Sequence, residues 1–412
     1  MPAEPIPAPL PIDGADREAA RQTYFYDRWR GFFYGLLEPG WVTFSLIIAI
    51  RHFDMPDYLK ALLPAAAFIG LFFNILTVSA CGRTQKNASR LISYIMLTCA
   101  ACITGAMLSP SLALFLGFFI AANIMYVQNP PLLIQIYSAN YRPGERGGKV
   151  STVLILLSLG GITAGWLGGK ALDHDITIYP FILAGMAAAC VISAAIVRRI
   201  PSQQLDPKSN ANPIKSLSVI WQDKLFGWLL LCWMLMGATN LMTIPVRIEY
   251  MADPKYGINA SNFEISLITF IVPMTSRMLS TKVWGFLFDR MNFISWRILI
   301  NCCFMASFLI YYNSHSLFFL GLGMAFIGMA MGGGNIAWTL WVTKLAPTNK
   351  VSTYMSAHTA LTGVRGTAAP FIGYWVLAHF TAPGIGLLCA GLMVLASFMF
   401  AAAWKSPRMR GN

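Results

Sequence analysis

The chain has 412 residues, of which 56% are hydrophobic and only 11% charged, with a net charge of +13 and a mean hydropathy of +0.58. An ordinary soluble domain carries about 25% charged residues, so this composition cannot cover a soluble surface. Disorder needs the opposite balance, and a secreted disulfide scaffold would be shorter and richer in cysteine than a chain with eight, which leaves an integral membrane protein.

Residues 1–27 are proline-rich and acidic and lack the apolar stretch of a signal peptide. They predict a flexible cytoplasmic arm. Beyond it, a helix of about 20 apolar residues spans a hydrocarbon core of about 30 Å, and the runs free of Asp, Glu, Lys and Arg supply such helices in order. The first covers residues 31–50 and is interrupted by Glu38-Pro39-Gly40; the second covers 61–82. The third and fourth share 91–141, with a break at Ser109-Pro110; the fifth and sixth cover 150–169 and 176–197. A polar stretch with Pro201, Pro207 and Pro213 follows, and then the seventh at 225–246 and the eighth at 265–286. The ninth and tenth share 298–343, with a break near 313–315. The eleventh opens near residue 351, and the twelfth follows the break at 381–383. Twelve helices with internally satisfied backbones make an all-α bundle in lipid.

The basic residues orient this bundle. With both termini in the cytoplasm, 22 of the 30 Lys and Arg fall in cytoplasmic segments and five in the opposite loops (Arg51, Lys60, Lys170, Arg247 and Lys255). Arg277, Lys282 and Arg365 are left inside helices. The positive charge therefore reads as topology and contact with anionic lipid at an inner (cytoplasmic) membrane, with no basic soluble domain for nucleic acid. Lys149-Val-Ser-Thr152 opens the fifth helix and Lys350-Val-Ser-Thr353 the eleventh, a repeat that divides the chain into two six-helix bundles. The expected domains are the arm (1–27), bundles at 28–199 and 224–405, a central loop (200–223) and a tail (406–412).

Gly285-Phe-Leu-Phe-Asp289-Arg290 closes the eighth helix, and Pro143-Gly-Glu-Arg146-Gly147 precedes the fifth. With the 6+6 count and the long central loop, these resemble the major facilitator superfamily of secondary transporters over essentially the whole chain. The resemblance implies alternating access, with Gly285, Asp289 and Arg290 as a cytoplasmic charge latch. The helix 2–3 loop lacks the acidic residue of that motif, and Asn292-Phe293 replace its later Gly and basic residues. Gly160-Gly-Ile-Thr-Ala-Gly-Trp-Leu-Gly-Gly169 is similar to the family's antiporter motif but lacks its central proline, which favours the reading of close packing by small residues.

Ionisable residues at membrane depth are costly and mark pathways. Arg277 and Arg365 each fall near the midplane of their helices, where a forked guanidinium suits a carboxylate or phosphate; the pair resembles the organic-anion transporters of the superfamily. Glu38, the acid inside a helix, is the candidate for proton coupling, or else a permanent partner of one arginine. Trp41 shares its face. Gln128 and Gln135 on the fourth helix, Asn240 on the seventh and His358 on the eleventh complete the candidate substrate-binding set.

Other chemistry is not expected. Cys99 and Cys102 have no partner pattern for zinc, there is no phosphate-binding glycine loop, and no catalytic triad. The sequence therefore predicts a non-enzymatic, cofactor-free, monomeric transporter of a small carboxylate-bearing solute, coupled to protons by symport or antiport. Proton-driven efflux of amphipathic compounds, suggested by twelve Trp and 21 Met, is the alternative within transport; a non-transporting receptor or scaffold is the alternative of another class.

Overall fold

The computed structural model describes residues 14–83, 86–202, 217–346, 351–404, 406 and 408. They form twelve long helical segments. The first, α1, runs as Gly14–Pro39, a π-helical turn Gly40–Phe44, and Ser45–Arg51. Then come α2 (Leu62–Arg83), α3 (Ala88–Met107), α4 (Leu112–Tyr126 and Asn129–Asn140), α5 (Pro143–His174) and α6 (Tyr179–Val197). The second series is α7 (Lys224–Ala252), α8 (Asn262–Ser266, a π-helical turn Leu267–Ile271, and Val272–Arg290), α9 (Phe293–Tyr312), α10 (Leu317–Leu345), α11 (Val351–His379) and α12 (Ala382–Ala402). Among the described residues, eight of them (α3–α7, α9, α10 and α12) carry a window long and apolar enough to cross a membrane.

Packing follows one pattern used twice. In the first six helices, α1 packs on α5 and α6, α3 on α4 and α6, and α2 on α4. Displaced by six, α7 packs on α11 and α12, α9 on α10 and α12, and α8 on α10. Small residues bring paired backbones into contact, as membrane helices require when hydrophobicity alone gives no drive to associate. A Cβ on Gly35 would fall 2.0 Å from the Leu157 carbonyl oxygen between α1 and α5, and one on Gly373 would fall 2.0 Å from the Met242 carbonyl oxygen between α7 and α11. The two series meet where α2 packs on α11 and α5 on α8. The α5 glycines serve both sides, with Gly160 against Phe32 of α1 and Gly165 and Gly169 against Ser266 and its neighbours on α8.

The described polar ties between the series cluster at the end opposite the chain termini. Arg51 donates to Asn262 Oδ1 and to the Ala260 carbonyl, both at 2.6 Å. The Lys60 ammonium, on the short helix Asp57–Lys60, sits 2.7 and 2.8 Å from the Glu249 carboxylate oxygens. Asn262 donates its backbone N–H to Asp173 at 2.8 Å and its side-chain amide to the Leu172 carbonyl at 2.7 Å.

Three expectations need correction. Helix begins at Gly14, within the expected flexible arm, because Thr23 and Asp27 are buried. Asp27 accepts from Arg30 Nε at 2.5 Å and from the Tyr137 hydroxyl at 3.1 Å, which fixes this stretch to α4. Arg247 and Lys60, assigned to loops, are buried, and α7 continues five residues past Arg247. Arg297, counted as a loop charge, is 1% exposed within α9. Residues 1–13, most of the central loop and Lys350 of the repeat lie outside the described residues.

Candidate functional site

Between the two six-helix series lies a cavity of about 370 Å³. Its walls come from α1 (Glu38, Trp41), α2 (Leu63, Pro64, Ala67, Phe68), α4 (Asn123, Tyr126, Val127), α7 (Asn240, Ile244, Arg247, Ile248), α8 (Thr269, Phe270, Pro273, Met274, Arg277) and α10 (Met324, Ile327, Met331). The lining is mostly apolar with a few polar groups at set places, the usual composition of a small-molecule site.

Two irregular turns shape it. Pro39 has no backbone N–H, and with Gly40 it loosens α1 into the π turn just after Glu38. On α8 the second π turn lies just ahead of Pro273 and Arg277. The turns face each other: Thr43 Oγ1 of one and Thr269 Oγ1 of the other are 3.4 Å apart. On α4, Pro130 and Pro131 withhold two N–H groups. The Asn129 amide donates instead to the Tyr126 carbonyl at 2.9 Å, ending the first α4 segment with Tyr126 on the cavity wall. The Tyr126 hydroxyl donates to Glu38 Oε1 at 3.3 Å. Tyr34 and Trp41 pack on the Tyr126 ring, with centroids 5.5 and 5.3 Å away, and hold that hydroxyl in place.

Glu38 and Arg277 thus share one cavity from opposite sides. No direct ion pair joins them among the described residues; Arg277 Nη2 is 2.6 Å from Met274 Sδ on its own helix. Arg247 is the third charge on the wall, but its Nη2 is committed to Asn240 Oδ1 at 3.0 Å and Thr243 Oγ1 at 2.5 Å.

The other expected residues divide. Trp41 and Asn240 line the cavity. Gln128 does not: its amide donates to the Gly70 and Ile124 carbonyls at 2.9 and 2.8 Å, tying α4 to α2. Gln135 lies farther along α4 and is not among the lining residues. Arg365 points into its own bundle and donates to the Trp233 carbonyl on α7. His358 lies beside it, enclosed by the rings of Trp233, Trp338 and Trp341. Arg277 and Arg365 therefore do not form one site. Of the expected latch, Arg290 is exposed with its guanidinium 3.8 Å over the Phe286 ring, a Cβ on Gly285 would meet nothing, and the Asp289 side chain lies outside the described residues. Tyr126, Asn123, Arg247 and Thr269 went unrecognised in the sequence. The proline pair after Tyr126 was the signal for the two on α4, Asn123 and Tyr126.

The Major Facilitator Superfamily family model matches residues 40–370. A search of curated protein sequences returns no match. Among solved structures, a mutant of the nucleoside transporter NupG superposes with a TM-score of 0.78 at 14% identity, covering 93% of this chain and 100% of its own. A D-xylose-proton symporter gives 0.69 at 14%, covering 95% and 99%. The human organic anion transporter MFSD10 gives 0.64 at 14%, covering 94% and 100%. At these identities the likeness shows the fold, and the family match carries the assignment: the chain belongs to the major facilitator superfamily and is a multi-pass membrane transporter, not an enzyme.

Proposed function

We propose that this transporter moves a small organic solute bearing an anionic group, that Arg277 binds that group, and that Glu38 carries the coupled proton. The observation behind this reading is the placement of Glu38 and Arg277 on the two sides of one cavity without direct pairing. An anion on Arg277 cancels the cation that faces Glu38 and adds one negative charge to the low-dielectric cavity, and a proton on Glu38 takes that charge away again. The loaded, protonated cavity then carries the same net charge as the empty one, with Arg247 charged in both, and can pass through an occluded state at little extra electrostatic cost. The two bundles, residues 28–199 and 224–405, would rock about the cavity. The polar ties opposite the termini would close one gate, facing the outside if the basic residues set both termini in the cytoplasm. Solved neighbours carry nucleosides, organic anions or xylose by name, so the fold leaves the solute class to the site. The cavity is walled by helices of one chain, which supports a monomer.

The test is transport by the full-length protein in proteoliposomes with a panel of mono- and dicarboxylates, sugars, nucleosides and lipophilic cations. A carboxylate should be accumulated by an inward proton gradient. Arg277→Gln should abolish its binding. Glu38→Gln should keep solute exchange and lose accumulation. Transport of lipophilic cations unchanged by Arg277→Gln would refute the anion reading and favour efflux, for which Met274, Met324 and Met331 give an adaptable apolar wall. Absence of any transport would favour the receptor reading.

A further inference from the structure

The interior of the second bundle contains a group of side chains that the cavity does not use. Arg297 of α9 and Arg365 of α11 are 1% and 8% exposed. Both converge on Trp233 of α7: the Arg297 guanidinium lies 4.5 Å from its ring centroid, and Arg365 Nη1 donates to its carbonyl. Arg365 presses on the α7 backbone closely enough that a Cβ on Gly237 would fall 2.2 Å from its Cζ. His358 stands 5.4 Å from the Trp233 ring and 5.3 Å from that of Trp341.

These groups want an acceptor. Among the described residues, Arg297 Nε and Nη1, Arg365 Nε, and the indole N–H groups of Trp233 and Trp341 are buried without a hydrogen-bond partner, as are both His358 nitrogens. None of the ion pairs among the described residues includes either arginine. Arginine cannot shed its charge by losing a proton. Two buried guanidinium groups without a counterion are among the costliest arrangements in a protein interior. Stacking on Trp233 offsets only a small part of that cost. Water could satisfy the donors but not the charge.

We infer that the second bundle holds a small monovalent anion between Arg297 and Arg365, a halide or a carboxylate group, with the indole N–H groups of Trp233 and Trp341 as further donors. None of these residues lines the cavity of Glu38 and Arg277, so this site stands independently of the solute reading. Its anion is either a resident inorganic ion or the carboxylate of a solute.

The test uses the purified full-length protein in detergent, in a buffer whose only anion is a bulky sulfonate. Chloride, iodide and acetate are titrated separately at constant ionic strength. A resident ion predicts a saturable rise of several degrees in the unfolding midpoint with chloride, and saturable quenching of tryptophan fluorescence by iodide. A carboxylate site predicts the same rise with acetate, and competition between acetate and iodide. Either response should disappear in Arg297→Gln and Arg365→Gln and persist in Arg277→Gln. If the arginine variants do not fold, Trp341→Phe carries the test: it removes one donor, keeps the ring, and should weaken the anion about tenfold, the worth of one charge-assisted hydrogen bond. A wild-type midpoint that no small anion raises, or a rise unchanged by Trp341→Phe and by both arginine substitutions, would overturn the assignment.

Discussion

Lys60→Met should open the gate opposite the termini. The Lys60 ammonium lies 2.7 Å from Glu249, and the two side chains are 5% and 1% exposed. Removing one partner of a buried pair costs about 3–5 kcal/mol, because the other charge stays buried. Here Glu249 would retain Lys255 at 3.3 Å, a partner 45% exposed and so partly screened, which lowers the cost to about 2–3 kcal/mol. A state open at this end gives Glu249 to water, so the penalty falls on the closed state alone. The closed-to-open ratio should therefore drop about 30- to 150-fold. Spin labels at Tyr58→Cys and Phe318→Cys, both largely exposed and on opposite bundles at this end, would report it by double electron–electron resonance with the native cysteines replaced. The long-distance population should grow in Lys60→Met. It should recede in Lys60→Met with Glu249→Leu, because an apolar pair tolerates burial. A double variant as open as the single one, or a single variant that unfolds more readily with unchanged distances, would refute the reasoning and leave the pair a fixed scaffold.

Three further outcomes follow from particular contacts. Gly35→Val should prevent α1 from seating on α5, since even a Cβ there falls 2.0 Å from a carbonyl oxygen; loss of folded protein on size-exclusion chromatography would show it, and a well-folded variant would contradict the close approach. Asp223 caps α7 at Phe226 N–H and is bound by Arg408 and by the Tyr354 hydroxyl. Burial alone would raise its pKa, but these three partners together hold the carboxyl below the usual range. A depressed carboxyl contributes stability above its unfolded value near pH 4 and loses it as pH falls further. Asp223→Ala should therefore cost about 1–2 kcal/mol at pH 7, with a thermal midpoint that falls less than that of the wild type from pH 5 to pH 3. Tyr126→Phe removes the 3.3 Å hydrogen bond to Glu38 and little else; it should move the pH profile of proton-driven uptake by about 0.7 pH unit, the ~1 kcal/mol typical of one such bond, while solute affinity stays within about twofold. An unchanged profile would separate Glu38 from proton coupling.

The sequence made the helices legible because the bilayer sets one length and permits one kind of backbone, so an apolar run is nearly a helix by itself. Glu38 and Arg277 were legible for a related reason: a charge at membrane depth needs a cavity, and both line one. The same reasoning misplaced Arg365. Counting residues along a helix gives depth, while facing depends on azimuth, which turns by about 100° with each residue. Arg365 has the depth of a cavity residue and the azimuth of a bundle-core residue against Trp233. Reading charges as the ends of runs also hid Lys60, Arg247 and Arg297, which are buried members of the structure. Facing was hardest to read on α1 and α8, because a π turn inserts one extra residue and rotates everything beyond it by about 100°. A regular helical wheel drawn through Gly40–Phe44 or Leu267–Ile271 therefore assigns wrong faces on one side of the turn. Those are the two segments that meet at Thr43 and Thr269, between the bundles and beside Glu38 and Arg277. The irregularity that defeats the periodic reading is thus located at the site itself. Backbone that departs from its regular form there gives up some helix stability, and in return α1 and α8 have a local alternative geometry where two rocking bundles need one.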